Sequence, residues 1–530
     1  MRSLLFASLG IAFLGVACIS AERVVVDDSN LDQDGTTDAP PGTATAVAST
    51  IGPTGSVALT LTADKGAANG EVVSFGLPFP QGVFTNAQNI TVLDRVGTPV
   101  DISTKVLAKW PGDGSIRSVL VAFKATLGAG ETLTWKVEYG DAPKGKSAGE
   151  LEANPNGPVI ATLTAEHYAA SHVGGVLLPA AKNERFAQYE TEIDNGADAF
   201  NIDDYGLNCA SSSQERTYYD GPHAQYQRAL RTGNAKHLRG AHTEATWYRE
   251  NELEFSPARK MAIYKCQAEW AGGWTPSKAL DWGTLRQMLS QGSLEDYLVT
   301  GDPAAKEAVL AMGEAFRQNL PALSTDDPPV LEITERNLGW TLMGLTSYYA
   351  LDQRNEVRDA MKGLVDRAIA WQARGESGGL EHDINRPDPE ECDNGPSGAS
   401  PFMTSLVVDG MMDYWLMTAD TAKLSPFMTK LAGWYEKDAL TSDKTAFKYL
   451  VGCNSYDYDI GDDDGMTTPE LNMLIVHVFG ATYALTKDKH WLELGDSTVD
   501  AGIEAMFTKR PKQWNQATRA FGKYLGYRAL

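Results

Sequence analysis

The chain has 530 residues and a mass of 57.3 kDa, with 43% hydrophobic and 22% charged residues, a composition typical of soluble globular proteins with two or three cores. This composition excludes disordered, collagen-like and polytopic membrane proteins. The balance of 46 Lys and Arg against 69 Asp and Glu gives a formal charge of -23, which repels phosphate backbones and argues against a nucleic-acid partner.

The N-terminus predicts an exported protein with a signal peptide at residues 1–20. Arg2 precedes an apolar stretch and then Cys18, which is the order of charged, hydrophobic and small residues found in secretory signals. The residues around Cys18 resemble a bacterial lipoprotein box. We therefore expect an outer-membrane or cell-surface lipoprotein that is attached to the membrane only through a lipid anchor. Ordinary cleavage near Ala17 or Ala21 would instead leave a periplasmic or secreted protein.

The cysteine count agrees with a lipidated Cys18. Five cysteines are an odd number, and lipidation of one leaves an even four for disulfides in an oxidising compartment. Of the three possible connectivities we predict Cys209 with Cys266 and Cys392 with Cys453, because each pair brackets one local segment.

Two segments of different character follow the signal. Residues 21–54 are predicted to be a disordered tether, because from Asp27 onward they contain almost no large apolar residue and cannot offset the entropy of ordering. Residues 55–143 contain short alternating apolar runs punctuated by glycines, and predict a small β-barrel domain. The strand candidates are at 57–61, 90–92, 100–102, 119–123 and 133–139, and the turn signals are Gly70, Gly97, Gly114 and Gly130.

Two motifs in this domain carry a resemblance to a known family. They are Phe-Gly-Leu-Pro-Phe-Pro-Gln-Gly at 75–82 and Trp-Pro-Gly-Asp-Gly-Ser-Ile-Arg at 110–117. In order and separation they resemble the N-terminal RIFT-barrel domain of the exo-rhamnogalacturonan lyase and YetA-like family. The resemblance implies a barrel in front of a helical catalytic toroid, with secreted polysaccharide chemistry. The residues themselves favour a structural interpretation, a rigid turn and a hairpin, over a binding role for Trp110 and Arg117.

After residues 144–217, predicted to be a linker with long loops, the apolar period changes from two to helical. Residues 218–530 are predicted to form an (α/α) toroid of about five to six helical hairpins. One helix of each pair ends in an aromatic-rich turn, and an amphipathic helix follows, as at 303–319, 356–373 and 490–507. Because one hairpin cannot bury its apolar face alone, neighbours must stack into a ring or an arc.

Residues just before the inner helices are the candidates for a site, because long loops at these helix starts form the rim of a toroid cavity. The candidate catalytic residues are His382, His223, Tyr219, Arg336 and Asn337. The candidate substrate-binding residues are Asp220, Trp282, Trp340, Arg386 and Asp464. His223 follows Tyr219 by four residues, which would place an imidazole and a phenol on one helix face. The alternatives are a buried histidine bonded to tyrosine and, for the two aspartates, helix caps.

A cluster of carboxylates with glycine at short spacing suits a hard cation such as Ca²⁺. Its members are Asp457, Asp459, Asp462 and Asp464. An acidic loop or contacts with sugar hydroxyls are the alternatives, and nothing else in the sequence requires a cofactor.

The favoured function is a polysaccharide lyase that cleaves a uronate-containing glycan by β-elimination, with Arg336 and Asn337 neutralising the carboxylate, a histidine as base and Tyr219 as acid. Because both the protein and such a substrate are negatively charged, a local basic patch must then attract the substrate. The candidates for this patch are Arg216, Lys278, Arg286, Arg336 and Arg386. One alternative is a glycoside hydrolase in which Asp220 is paired with Asp464 or Glu335. The other is a surface glycan-binding lipoprotein without activity.

Overall fold

The N-terminal alternating runs form two antiparallel sheets in the computed structural model, which describes residues 47–209, 215–256, 260–266, 287–320, 334–382, 398–452 and 467–530. The strands are β1 (Gly55–Thr62), β2 (Ala68–Pro78), β3 (Ile90–Leu93), β4 (Pro99–Val100), β5 (Ser103–Lys109), β6 (Ile116–Leu127), β7 (Thr132–Tyr139) and β8 (Ile160–Leu163). The larger sheet has the order β4-β3-β7-β1-β8 and the smaller one β2-β6-β5. The larger sheet therefore includes β8, which lies in the segment that we predict as a linker.

Glycines with positive φ make three of the predicted turns of this β domain. Gly97, Gly114 and Gly130 have φ of 85°, 68° and 74°, and residues other than glycine rarely adopt these positive backbone angles. Gly70 differs from the prediction, because it lies inside β2 at a shift of register against β6 and forms a bulge instead of a turn.

The two sequence motifs meet in the core of the β domain. Trp110 is fully buried and its Nε1 donates to the Phe79 carbonyl at 2.8 Å. This agrees with the structural interpretation of Trp110. The first motif differs in detail, since β2 continues through Pro78 where a turn is predicted.

The remainder of the chain is mainly helical. The helices are α1 (Ala165–Ser171), α2 (Ala187–Ala197), α3 (Gly221–Thr232), α4 (Ala235–Asn251), α5 (Gln291–Thr300), α6 (Pro303–Asn319), α7 (Glu335–Leu351), α8 (Asn355–Arg374), α9 (Pro401–Thr418), α10 (Thr421–Trp434), α11 (Asn472–Ile475), α12 (His477–Thr486), α13 (His490–Ala505), α14 (Pro511–Thr518) and α15 (Phe521–Arg528). A short hairpin of β9 (Leu253–Ser256) and β10 (Met261–Tyr264) follows α4.

These helices form a closed ring of hairpins, which confirms the toroid prediction. The inner helices α3, α5, α7, α9, α12 and α15 contact one another in turn, and α15 returns to α3. Helices α5, α7 and α9 are buried on nearly every side, as expected of the inner layer, whereas α6, α8 and α13 are amphipathic and lie outside. The outer helix of the sixth pair is α2, which precedes the ring helices in the chain. It packs against α14.

A repeated backbone turn links inner and outer helices. The residue that ends the inner helix has a left-handed conformation in four pairs, at Gly233, Gly301, Ala419 and Lys487. At such a C-cap the backbone N–H bonds back to the last turn and the chain reverses. Asp302 then starts α6 by accepting a hydrogen bond from the backbone of Ala304 at 3.0 Å.

The β domain packs directly on the ring through α5. Ser118 on β6 donates to the carbonyl of Leu298 at 2.6 Å, and Tyr297 donates to the carbonyl of Leu107 at 3.0 Å. Gly76 on β2 allows this approach, because a Cβ built there would lie 2.0 Å from the Leu298 carbonyl oxygen. The contact holds the barrel against one end of the ring.

The structure also tests part of the cysteine prediction. Cys209 and Cys266 form a disulfide, as predicted. Cys18, Cys392 and Cys453 lie outside the described residues, so the lipidation and the second pair stay predictions. Within the described part of the chain, no helix combines the length and apolarity needed to span a bilayer.

Candidate functional site

The start of α7 joins several chain segments at the rim of the ring. Glu335, the first residue of α7, is fully buried, and its Oε1 accepts a hydrogen bond of 3.0 Å from the backbone N–H of Ser400, which precedes α9. Its Oε2 lies 3.1 Å from Nδ1 of His382. This carboxylate therefore links two neighbouring inner helices and lies beside one ring nitrogen of the histidine.

Arg336 and Asn337 follow on the first turn of the same helix. Nη1 of Arg336 donates to the hydroxyl of Tyr218 at 3.1 Å, and its guanidinium lies 5.5 Å from the ring centre of Phe402. Asn337 is 5% exposed, and its Oδ1 has no hydrogen-bond partner within the described ranges. A cation, a phenol, an amide and a histidine–glutamate pair thus meet at one helix start.

The tyrosines before α3 are arranged differently from the prediction. Tyr219 and Asp220 both have positive φ, 64° and 60°, and α3 begins only at Gly221. Tyr219 is therefore not one helical turn before His223 on a common helix face. The phenol that meets the start of α7 is Tyr218, whose ring centre lies 4.6 Å from that of Tyr219.

Asp220 has the geometry of the alternative that we give for it, a helix cap. Its Oδ1 accepts from the backbone of His223 at 3.1 Å and its Oδ2 from Gly292 at 3.3 Å. The side chain is fully buried, and that burial raises the pKa of Asp220. It joins the starts of α3 and α5 and does not reach the surface.

A buried charge network lies inside the ring, and sequence reasoning missed it. Asp409 on α9 accepts from Nη2 of Arg519 at 2.6 Å and from Nζ of Lys523 at 3.0 Å. Burial alone would raise the pKa of Asp409, but Lys523 and Arg519 hold it well below its usual range. Trp340 stacks on this network, with the Arg519 guanidinium 4.7 Å from its ring centre. Two aspartates, Asp409 and Asp413, in an otherwise apolar inner helix were the available signal.

A second buried network has the spacing of metal ligands but is already satisfied. His242, Asp296 and Asp302 approach one another closely. Arg249 donates to both carboxylates at 2.5 Å, and Nδ1 of His242 lies 2.7 Å from Asp296. The guanidinium supplies the positive charge that a cation would otherwise bring.

Comparison with known proteins identifies the first domain. Residues 57–137 match the family model of the PcRGLX-like N-terminal RIFT barrel domain. The β domain is a RIFT barrel. No curated protein sequence matches the chain.

Solved structures with a related fold are similar at low identity. They include a GH127 β-arabinofuranosidase (10% identity, TM-score 0.38, covering 66% of this chain and 58% of that one) and a sugar epimerase from a ruminal bacterium (12%, 0.35, 58% and 85%). A family 76 glycoside hydrolase from a bovine Bacteroides thetaiotaomicron strain is also similar (11%, 0.30, 84% and 79%). The chain spans 58% of the length of the arabinofuranosidase.

The RIFT barrel contributes a residue to the inside of the ring. Arg117, the last residue of the second motif, lines a small cavity together with His223 and Glu295. Nδ1 of His223 lies 2.9 Å from Glu295, and burial lowers the pKa of His223 well below its ordinary value. Neither Arg336 nor His382 is among the residues lining this cavity. The structure thus brings His382 and Arg336 to one rim and assigns His223 to a second site.

The remaining predicted site residues lie outside the described ranges. They are Trp282, Arg386, Asp464 and the other proposed calcium ligands Asp457, Asp459 and Asp462. Of the predicted basic patch, Arg216 is buried and bonded to Glu244 at 3.0 Å, so its charge is already neutralised. Lys512, which the prediction omitted, lies 4.7 Å from the ring centre of Tyr218 and adds a cation near Arg336.

Proposed function

We propose that this protein is an exported carbohydrate-active enzyme, and specifically a polysaccharide lyase that cleaves a uronate-containing glycan by β-elimination. The observation that carries the proposal is the contact between the Arg336 guanidinium and the Tyr218 hydroxyl, 3.1 Å apart, beside the Glu335–His382 pair. The RIFT barrel at residues 57–137 supports it, since the resemblance of its two motifs to the exo-rhamnogalacturonan lyase family implies polysaccharide chemistry.

Each step of an elimination has a matching group at this rim. Arg336 and the amide of Asn337 neutralise the substrate carboxylate, which acidifies the hydrogen on the adjacent carbon. His382 removes that proton through Nε2, because Nδ1 faces Glu335. The carbon–oxygen bond of the linkage then breaks, a carbon–carbon double bond forms, and the Tyr218 hydroxyl protonates the departing oxygen. Tyr218 takes the role that the sequence predicts for Tyr219.

Positive charge near Tyr218 would attract a polyanionic substrate despite the net charge of -23. Arg336 and Lys512 both approach Tyr218, from the hydroxyl and from the ring face. The electrostatic potential that a substrate meets at a binding site depends more on such nearby charges than on the net charge of the whole protein.

The test is ultraviolet absorbance of the unsaturated product on panels of pectin, rhamnogalacturonan, alginate and glycosaminoglycans. On the substrate that responds, Arg336→Ala and Tyr218→Phe should each lower turnover about a hundredfold or more, with little change in melting temperature. Arg336→Lys should restore only part of the activity, because an ammonium lacks the planar donor geometry. Tyr483→Phe is the matched control, a half-buried inner-helix tyrosine at the end of α12.

Three other outcomes would overturn the lyase assignment. New reducing ends without the unsaturated chromophore would indicate a glycoside hydrolase, for which Glu335 is the carboxylate at the rim. Tight glycan binding with no product after prolonged incubation would indicate a surface binding protein. Silence on every substrate together with no binding would refute carbohydrate recognition at this rim.

We also propose that the protein is exported and anchored through a lipid on Cys18. The disulfide between Cys209 and Cys266 supports this, because such bonds persist in oxidising compartments. Expression of Cys18→Ser should move the protein from the membrane fraction to the soluble fraction. Unchanged membrane association of this variant would contradict the anchor.

A further inference from the structure

A small cavity with both charged and apolar lining lies where the RIFT barrel meets the ring. It has a volume of about 40 Å³ and is lined by Arg117, Gly175, His223, Glu295, Asp413 and Lys523 together with several apolar and amide groups. One water needs about 10–15 Å³ by this measure, so the cavity can hold a group larger than a single water. Arg117 comes from the barrel and the other charged groups come from the ring.

Arg117 is a buried cation with unused donors. It is 6% exposed, its guanidinium lies 4.5 Å from the ring centre of Trp110, and Nε and Nη1 have no hydrogen-bond partner within the described part of the chain. Burial lowers the pKa of Arg117 to about 10, which still leaves it charged at neutral pH. Such a donor requires an acceptor inside the cavity.

His223 presents a second unused nitrogen to the same cavity. It is 1% exposed, Nδ1 is engaged with Glu295, and Nε2 has no partner in the ranges that the structure describes. Glu295 in turn accepts from Gln227 at 3.2 Å. Glu295 thereby holds Nδ1 of His223, and both His223 and Arg117 line the cavity.

The carboxylates of the cavity compensate the cations only in part. Asp413 accepts from the amide of Gln291 at 2.7 Å, and Lys523 is bonded to Asp409. Burial raises the pKa of both Glu295 and Asp413. If the carboxyl of Glu295 donates a hydrogen bond to Nδ1 of His223, Nε2 carries the ring hydrogen.

We propose that this junction cavity is a binding site for a small carboxylate group, held by Arg117 of the barrel and His223 of the ring. A carboxylate supplies acceptors to both unused donors and fits the volume. It could come from a free short-chain acid or from the uronate unit of a glycan, and the second source rests on the proposed function. In either case the barrel completes a ligand site that the ring alone lacks.

The experiment is calorimetric titration of the full chain at constant ionic strength with acetate, formate, galacturonate and galactose. We expect acetate and formate to bind in a 1:1 ratio and galactose, which has no carboxylate, to give no signal. Galacturonate binding more tightly than acetate would identify the glycan source, and binding of acetate alone would identify the free acid. Because binding is measured without turnover, the result is independent of lyase activity.

Single substitutions test whether the carboxylate binds in the junction cavity. Arg117→Gln should weaken acetate binding about tenfold or more, since it removes a charge-assisted donor. Arg185→Gln, which removes an exposed cation paired with Asp500, should leave the affinity unchanged. The proposal is overturned if no carboxylate binds the wild-type protein, if galactose binds as well as galacturonate, or if Arg117→Gln binds acetate as the wild type does. If Arg117→Gln does not fold, His223→Gln takes its place and should also weaken acetate binding, because the wild-type titration alone does not separate this cavity from the rim at Arg336.

Discussion

Replacement of Gly76 by alanine tests whether the barrel is held against the ring by close backbone contact. A Cβ at this position would lie 2.0 Å from the Leu298 carbonyl oxygen and 2.8 Å from its carbonyl carbon, whereas real Cβ contacts under 3.0 Å are essentially never seen. Strand β2 and helix α5 must therefore separate by at least 1.0 Å, the difference between 3.0 and 2.0. The neighbouring hydrogen bond from Ser118 to the same carbonyl, 2.6 Å long, would be strained or lost.

The expected cost follows from these two contacts. Overpacking costs about 1–3 kcal/mol and the lost hydrogen bond about 1 kcal/mol, while the reduced entropy of the unfolded chain offsets about 0.5–1 kcal/mol. Gly76→Ala should therefore lower the free energy of unfolding by about 2 kcal/mol, measured as a shift of the urea midpoint.

The matched control is Gly363→Ala on the outer helix α8. A Cβ built on Gly363 meets nothing within 4 Å, so this change should stabilise the protein by about 0.5–1 kcal/mol through helix propensity. Equal stability of Gly76→Ala and the wild type would refute the close contact. Equal loss of stability in both variants would show that the effect is not specific to the junction.

Three further predictions concern stability. Asp409→Asn leaves two buried cations without their anion and should cost about 3–5 kcal/mol in urea denaturation. Burial lowers the pKa of His167 to about 4 from 6.5, so the folded state favours neutral His167 and stability should fall by about 3 kcal/mol as the pH drops from 6.5 toward 4. His167→Gln should reduce the slope of the urea midpoint against pH in that window, while His172, His237 and His477, whose pKa values burial also lowers to about 4, keep the remainder. An unchanged slope would contradict the assignment. Cys209→Ser combined with Cys266→Ser should cost about 2–4 kcal/mol, and a midpoint equal to that of the wild type would argue against a stabilising disulfide.

Local patterns were sufficient for the fold class and for many of the elements, although β8, α1 and α2 lie in the segment predicted as a linker. Alternation at Val57, Leu59 and Leu61 places these residues in the core from β1, because side chains of a strand point to opposite faces in turn. Helix α6 begins and ends at the predicted residues, 303–319, since proline at its start and the capping aspartate are local signals. The repeated aromatic turn predicted hairpins, and hairpins with one apolar face can bury it only by stacking.

The site depended on contacts between residues distant in the chain. Tyr218 and not Tyr219 meets Arg336, because two residues of positive φ delay the start of α3 to Gly221, and sequence periodicity does not report this turn. Arg117 belongs to a motif whose local features indicate only a hairpin, yet the packing of Gly76 on α5 carries that hairpin to the ring interior. The periodicity of apolar residues indicates which side of a helix or strand is buried. Which residue it contacts there depends on how whole elements pack. The contacts among the charged groups inside the ring could therefore be seen only in the tertiary structure.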